Sequence, residues 1–301
     1  MTDRAKQALV KLALEPEWEA RFEKEAWRGK LPPPTLRPNS YGFRPGRSCH
    51  DAVVAIYNAI SSKSKYVLDA DIAKCFDRIN HQALLEKLNT FPKLRRQVKA
   101  WLKSGVMDSN TLFPTSEGTP QGGVISPLLA NIALHGLENR IRQFAESLPG
   151  RKQRNRENLS FIRYADDFVV LHKELAIVQR CQQIIAEWLK GMGLELKPSK
   201  TRITHTLQKY EGNIGFDFLG FNIRQYMVGN YRADKDSQAR SLGFTTLITP
   251  SKEKILLHLE EIGRIIDSHK NAPQAALISR LNPVIRGWSN YYSTALLQIS
   301  L

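Results

Sequence analysis

The sequence predicts an α+β fold: an antiparallel sheet with helices packed on it, followed by a helical C-terminal region. Three observations carry this. "KYVLDADI" (65–72) alternates and is rich in β-forming residues, so its period of two places Val67, Asp69 and Asp71 on one face. "LSFIRYADDFVVLHK" (159–173) reads as two apolar strands meeting at a tight turn over Ala165–Asp167. Residues 174–192 set Leu175, Val178, Cys181, Ile185, Trp188, Leu189 and Met192 on one stripe, which is an amphipathic helix closed by Gly191 and Gly193.

The other elements follow in order. Residues 5–27 carry Leu9, Leu12, Trp18 and Phe22 near helical spacing, with Pro16 expected to break or bend the helix. "RGKLPPPTLRPNS" is a proline-rich loop. "CHDAVVAIYNAISS" is a short helix with Val53, Ile56, Tyr57 and Ile60 on one face. "INHQALLEKLNTF" and "LRRQVKAWLKSG" are helical, the second ending at Gly105. "GTPQGGVISP" is a turn leading into one helix from about Pro127 to Phe144, and "RKQRNREN" is a basic loop. "FDFLGFNI" is a short apolar strand region. Beyond residue 230, a polar linker precedes two helical pieces, the second interrupted by Pro283.

Composition narrows the function. Lys and Arg number 44 against 29 Asp and Glu, a net charge of +15. That surplus favours a polyanionic partner, since phosphates release counterions to it; a solvated basic surface is the alternative. Cys49, Cys75 and Cys181 form no CxxC pair or Cys/His cluster, which speaks against zinc and for a reducing compartment. There is no apolar run of about 18 residues and no signal-peptide core, so a cytoplasmic location without membrane contact is expected.

Asp166 and Asp167 sit between two apolar strands, where an uncompensated charge costs several kcal/mol. Asp71 lies 95 residues earlier at the end of another strand. A strand end and a hairpin turn can meet in one antiparallel sheet. Three carboxylates held together repel each other unless cations intervene, and hard oxygen ligands suit Mg²⁺. Two such ions about 3.5–4 Å apart activate a hydroxyl and stabilise a leaving oxygen in phosphoryl transfer. The same pair of aspartates also suits an ordinary polar turn.

Further blocks shift the balance between these toward the metal site. "YADD", with "DIAKCFDRINH", "GTPQGGVISPLLANI", "LELKPSKT" and "FDFLGF" in sensible order, resembles the reverse transcriptase domain of group II intron-encoded proteins. "NSYGFRPGRSCHDAV" is similar to a further block, and "NPVIRGWSNYY" resembles the thumb, or maturase, region. The resemblance implies a right-hand polymerase: an antiparallel palm sheet with helices, partial fingers, and a helical thumb. Residues 1–229 would form the palm and partial fingers and 230–301 the thumb. It implies Asp71 and Asp166 as main ligands of two Mg²⁺ ions, with Mn²⁺ as substitute. Asp167 lies beside them, and the backbone carbonyl of Ile72 supplies a further ligand.

Phe76 corresponds to the aromatic gate against a 2′-hydroxyl, with core packing as the alternative. Gln121 falls by the nascent base pair or is an ordinary turn residue. Lys200 falls near the pyrophosphate leaving group, as a general acid or a solvated lysine. Arg44 and Arg47 are phosphate or template contacts, or solvated. Asp77 reads as structural, and Asp69 is left open. The implied partners are an RNA template (group II intron RNA), a DNA primer and dNTPs, with a homodimer left open.

The sequence departs from the pattern in three places. The basic fingers segment written like "RPLGIP" is absent, so the resemblance begins mid-domain. A Pro-rich insertion occupies about 25–38. The family's DNA-binding and endonuclease modules are missing. Each charge-assisted hydrogen bond that the fingers would have made to a triphosphate is worth roughly 1.5–3 kcal/mol. A truncated polymerase is therefore expected, with a non-catalytic, maturase-like intron RNA-binding protein or an inactive fragment as rival readings.

Overall fold

The structure, a computed structural model, describes residues 2–24, 39–104, 106–108, 111–113, 117–119, 122–229, 231–236 and 238–297. The Pro-rich stretch at about 25–38 and Gln121 lie outside the described residues. The chain divides into two compact units: Met1–Ile56 with Tyr66–Ile203, and Tyr57–Lys65 with Thr204–Leu301. The boundary expected at 229/230 falls within the second unit, between two strands.

The first unit runs α1 (Thr2–Lys24), most of α2 (Cys49–Ile60), β1 (Tyr66–Asp71), α3 (Cys75–Arg78), α4 (His81–Leu88) and α5 (Pro92–Leu102). The short ribbon β2 (Val106–Asp108) and β3 (Thr111–Phe113) follows. Then come α6 (Ser126–Leu134), α7 (Leu137–Ser147), α8 (Lys152–Asn158), β4 (Ser160–Tyr164), β5 (Asp167–His172) and α9 (Leu175–Lys190). A 3-10 turn at Pro198–Lys200 leads to β6 (Arg202–His205), which straddles the boundary. The sheet order is β4-β5-β1-β6, with β4/β5 and β5/β1 antiparallel. Strand alternation sends Leu68, Ala70, Phe161, Phe168 and Val170 to one face, where they join the core with Val178, Cys181 and Ile185 of α9. Asp69, Asp71 and Asp167 therefore point to the other face.

Several local expectations yield to packing. Helix α1 continues through Pro16 without a break. Leu14, Trp18 and Phe22 recur every four residues and are all buried. Burying three such side chains at about 1.5–3 kcal/mol each outweighs an interior proline's cost of about 3 kcal/mol. Helix α11 (Gln274–Leu297) likewise continues through Pro283. The single helix expected from Pro127 to Phe144 is two helices, because Gly136 has φ 94° and only a left-handed residue turns the chain there. "RKQRNREN" is not a loop: Lys152–Asn158 is helical, with the Asn155 amide of that helix donating to the Leu148 carbonyl at 2.9 Å.

In the second unit, β7 (Phe216–Phe218), β8 (Phe221–Met227) and β9 (Phe244–Pro250) form an antiparallel sheet, followed by α10 (Lys252–Ser268) and α11. The "FDFLGFNI" region is thus a hairpin, turning at Leu219 (φ 51°) and Gly220 (φ 80°) as a two-residue turn requires. Tyr291 and Tyr292 of α11 donate hydroxyl hydrogen bonds to the carbonyls of Leu219 (2.9 Å) and Gly220 (3.2 Å). Strand β9 was not anticipated in what was expected to be a helical region. A buried polar chain ties residues 57–65 to this unit. The Lys65 amide donates to Thr206 Oγ1 (3.0 Å), Thr206 Oγ1 to Gln225 Oε1 (2.6 Å), and Gln225 Nε2 to the Ile60 carbonyl (2.8 Å).

Burial, with Lys63 close by, pulls the Lys65 ammonium down to about 8 from 10.5. The unfolded chain then binds more protons between those two values, so this group makes stability rise with pH there. In chemical denaturation, wild type should gain stability relative to Lys65→Met as pH rises from about 8 to about 10.5, by at most about 3 kcal/mol. A difference between the two proteins that stays flat with pH would contradict the assignment.

Candidate active site

The β4–β5 register pairs Tyr164 with Asp167, which leaves Ala165 and Asp166 as a two-residue turn. Ala165 takes φ 56°, the left-handed conformation such turns need. Asp167 is thus the first residue of β5, and it stands opposite Asp71, the last residue of β1. Directly opposed residues of an antiparallel pair share a face, so the two carboxylates face one side with Asp166 beside them on the turn. The 95-residue gap closes through strand pairing.

Electrostatics marks the cluster. Burial first, then the charges of Asp166 and Asp71, push the Asp167 carboxyl up to about 6, against the pull of Lys200. Burial also raises Asp166; its own backbone amide counteracts this and the Asp71 charge adds to it. Lys200, on the 3-10 turn, donates from Nζ to Asp71 Oδ2 at 3.1 Å, and that hydrogen bond raises the lysine. Lys197 Nζ stands 3.9 Å from the same oxygen, and its amide donates to the Asp71 carbonyl at 2.8 Å. Asp71 Oδ1 is buried and has no hydrogen-bond partner. An orphaned carboxylate oxygen next to two carboxyls that resist ionisation is a hard-oxygen donor set of the kind a divalent cation satisfies. Among the described residues, no group of three or more His, Cys, Asp or Glu side chains forms a ready-made metal cage.

The turn is held from the opposite face of the sheet. Arg163 is fully buried there, and desolvation lowers its guanidinium to about 10. It donates to the Ala165 carbonyl (2.8 Å), to Asn131 Oδ1 (3.2 Å) and to Ser40 Oγ (2.6 Å). Asn131 Nδ2 in turn donates to the Gly42 carbonyl at 2.9 Å. The segment at 39–41 runs along β4, with the Tyr41 amide on the Arg163 carbonyl and the Arg163 amide on the Asn39 carbonyl. Gly42 lies against the turn so closely that a Cβ there would stand 2.2 Å from the Ala165 nitrogen. Sequence reasoning missed Gly42, Asn131 and Arg163. The glycine in "SYGF" and the arginine before "YADD" were the only signals.

The remaining candidates separate. Phe76 is half-buried, its ring edge-to-face with Phe43 at 5.9 Å and its carbonyl accepting from the Thr119 amide at 2.5 Å. Ile72 follows β1 directly, its side chain buried and its backbone bridged to Leu196. Asp69 accepts from Arg202 Nε at 2.9 Å. Asp77 lies in α3, with the Gly118 backbone packed on its own. Arg44 and Arg47 require correction as phosphate or template contacts. The Arg44 side chain is 1% exposed and paired with Glu19 (2.6 Å) and Glu23 (2.8 Å) of α1. Arg47 is paired with Glu23 at 2.6 Å and lies over the Tyr41 ring. Both arginines spend their donors on α1 and on the Ser40 carbonyl, so they are framework.

The fold is that of the palm of a template-directed polymerase. The chain belongs to the reverse transcriptase family: residues 1–223 match "Reverse transcriptase (RNA-dependent DNA polymerase)", and residues 256–298 match "Group II intron, maturase-specific domain". It is similar to the group II intron-encoded protein LtrA of Lactococcus lactis, with 27% identity over 98% of this chain and 57% of that protein. Protein YkfC of Escherichia coli is 31% identical over 74% of this chain and 61% of its own length. The chain thus spans about three fifths of each of these relatives. A solved telomerase structure from Candida tropicalis shares the fold, with a TM-score of 0.53 at 12% identity over 97% of this chain and 47% of that one.

Gly42→Ala drives a methyl group into the backbone of the turn. It should destabilise the protein by about 1–3 kcal/mol, as overpacking does. Denaturant titration measures this; an unchanged midpoint would show that the 39–42 segment does not brace the turn.

Proposed function

We propose that this chain is an RNA-directed DNA polymerase of the group II intron type, acting in the cytoplasm in intron splicing and mobility. The observation that carries the proposal is the β1–β5 register, which sets Asp71 opposite Asp167 with Asp166 on the adjoining turn. Asp71, Asp166 and Asp167, with the Ile72 carbonyl, would hold two Mg²⁺ ions, or Mn²⁺ in their place. Bound there, the ions lower the cost of ionising a primer 3′-hydroxyl and of releasing pyrophosphate from a dNTP. Lys200 is within reach of the same carboxylates and supplies a proton toward the leaving oxygen. The Phe76 ring, backed by Phe43, blocks a 2′-hydroxyl, and Gln121 is assigned to the nascent pair on the family resemblance alone. The RNA template is group II intron RNA, paired with a DNA primer; a homodimer is compatible with this reading.

Primer extension on an RNA template, with dNTPs and Mg²⁺, tests the assignment. Asp166→Ala should lower the rate a thousandfold or more, about 4 kcal/mol of barrier. Lys200→Ala should lower it about a hundredfold, the low end of general-acid contributions. Undiminished extension by Asp166→Ala would overturn the metal assignment. The match at 256–298 favours a second reading, a maturase-like RNA-binding protein without polymerase activity. Tight intron RNA binding with no extension by wild type would select it.

A further inference from the structure

Helix α5 has two faces of different character. Leu94, Val98, Trp101 and Leu102 are buried in the first unit. At 100° per residue, Arg95, Arg96, Lys99 and the C-cap residue Lys103 fall within one arc of about 100° that runs from beside Leu102 round to the side opposite Leu94. Arg96, Lys99 and Lys103 are exposed and Arg95 is half-buried. From Arg95 to Lys103 the track runs about 12 Å along the helix.

Some helix cations have acidic partners one turn away, as Lys11 has Glu15, Arg142 has Glu138 and Arg264 has Glu261, whereas α5 has no acid in its own sequence to offer one. Between Glu86 and Asp108 the sequence contains no acidic residue at all. Arg95 and Lys99, and Lys99 and Lys103, are i,i+4 pairs of like charge, which weaken a helix. Burial of the apolar face holds the helix nevertheless, and with it the cationic arc. Phe91 enters the helix 63% exposed, a bare ring beside the charges.

We propose that this face of α5 is a docking surface for the sugar–phosphate backbone of RNA, separate from the carboxylate site. Four cations with no acid among them match a run of phosphates, and neutralising each phosphate releases counterions. The adjacent ring offers a base a stacking partner, which an acidic protein or a lipid headgroup does not use. No residue of α5 takes part in the carboxylate cluster or in the network under its turn, so the surface stands whether or not the chain extends a primer.

The test is equilibrium binding of a 30-nucleotide single-stranded RNA, in EDTA and without dNTPs, across a KCl titration. The full chain carrying Arg95→Gln, Arg96→Gln, Lys99→Gln and Lys103→Gln is compared with wild type. A control carries Arg151→Gln, Lys152→Gln, Arg154→Gln and Arg156→Gln, removing equal charge from α8 and its entry. The α5 variant should bind at least tenfold more weakly at 100 mM KCl. Its log K against log [KCl] slope should be shallower by about 3, at about 0.7 for each phosphate that is no longer neutralised. The control should retain most of the wild-type slope. Equal losses in the two variants would overturn the proposal in favour of a net-charge effect. Unchanged RNA binding by the α5 variant would overturn it outright. Because nothing in the assay turns over, a failed polymerase assignment and a failed docking face give different results.

Discussion

The register of β1 against β5 is the constraint on which the candidate site depends. It pairs Asp71 with Asp167 at one end of the ladder and Tyr66 with His172 at the other. A slip of one residue would turn Asp71 into the core and Ala70 toward the site, because strand side chains alternate faces. The slip is prevented on the helix-covered face. There Leu68, Ala70, Phe168 and Val170, all at most 2% exposed, pack in one core with the buried side of α9, and a shifted register would break that packing. The hydrophobic face thus places the acids, although none of its members approaches the chemistry. Like charges held directly opposite destabilise a sheet. Here the cost is offset by Lys200 on Asp71, and it shows in the raised Asp167 carboxyl.

The turn at Ala165–Asp166 is held by groups distant in sequence. Ser40, Gly42, Asn131 and Arg163 meet beneath it, and the Arg163–Ser40 bond alone spans 123 positions. A buried guanidinium is costly to place, and it persists because three acceptors satisfy it. Arg44 extends the same framework, linking the 39–44 segment to Glu19 and Glu23 of α1. One small network therefore ties a helix, a loop and the hairpin into a rigid mount for the carboxylates.

Much of this was legible in the sequence for a physical reason. Strand alternation and the amphipathic stripe of α9 are local patterns, and so are two aspartates between apolar runs. What escaped reading was long-range. An arginine in "FRPGRS" looks the same whether it meets a phosphate or a carboxylate, and only the fold brings Glu19 and Glu23 to Arg44. Pro16 and Pro283 carry a true local penalty, but burial of Trp18 and Tyr292 on the same helices overrides it. Strand β9 was hidden because its inward face is Phe244, Thr246 and Ile248, and a central threonine blurs the alternation.

The tie between Gln225 and residues 57–65 bears on how the protein is made. Ribosomes release the chain from its N-terminus, so Lys65 emerges 141 residues before its partner Thr206. At about 5–20 residues per second that interval is roughly 7–28 s. Through it, the Ile60 carbonyl and the Lys65 amide lack these side-chain partners while the sheet of the first unit can already assemble from residues 66–203. Folding of the second unit is thereby placed after synthesis of most of the first, and a nascent chain halted before Thr206 presents the 57–65 segment to chaperones as unfinished surface.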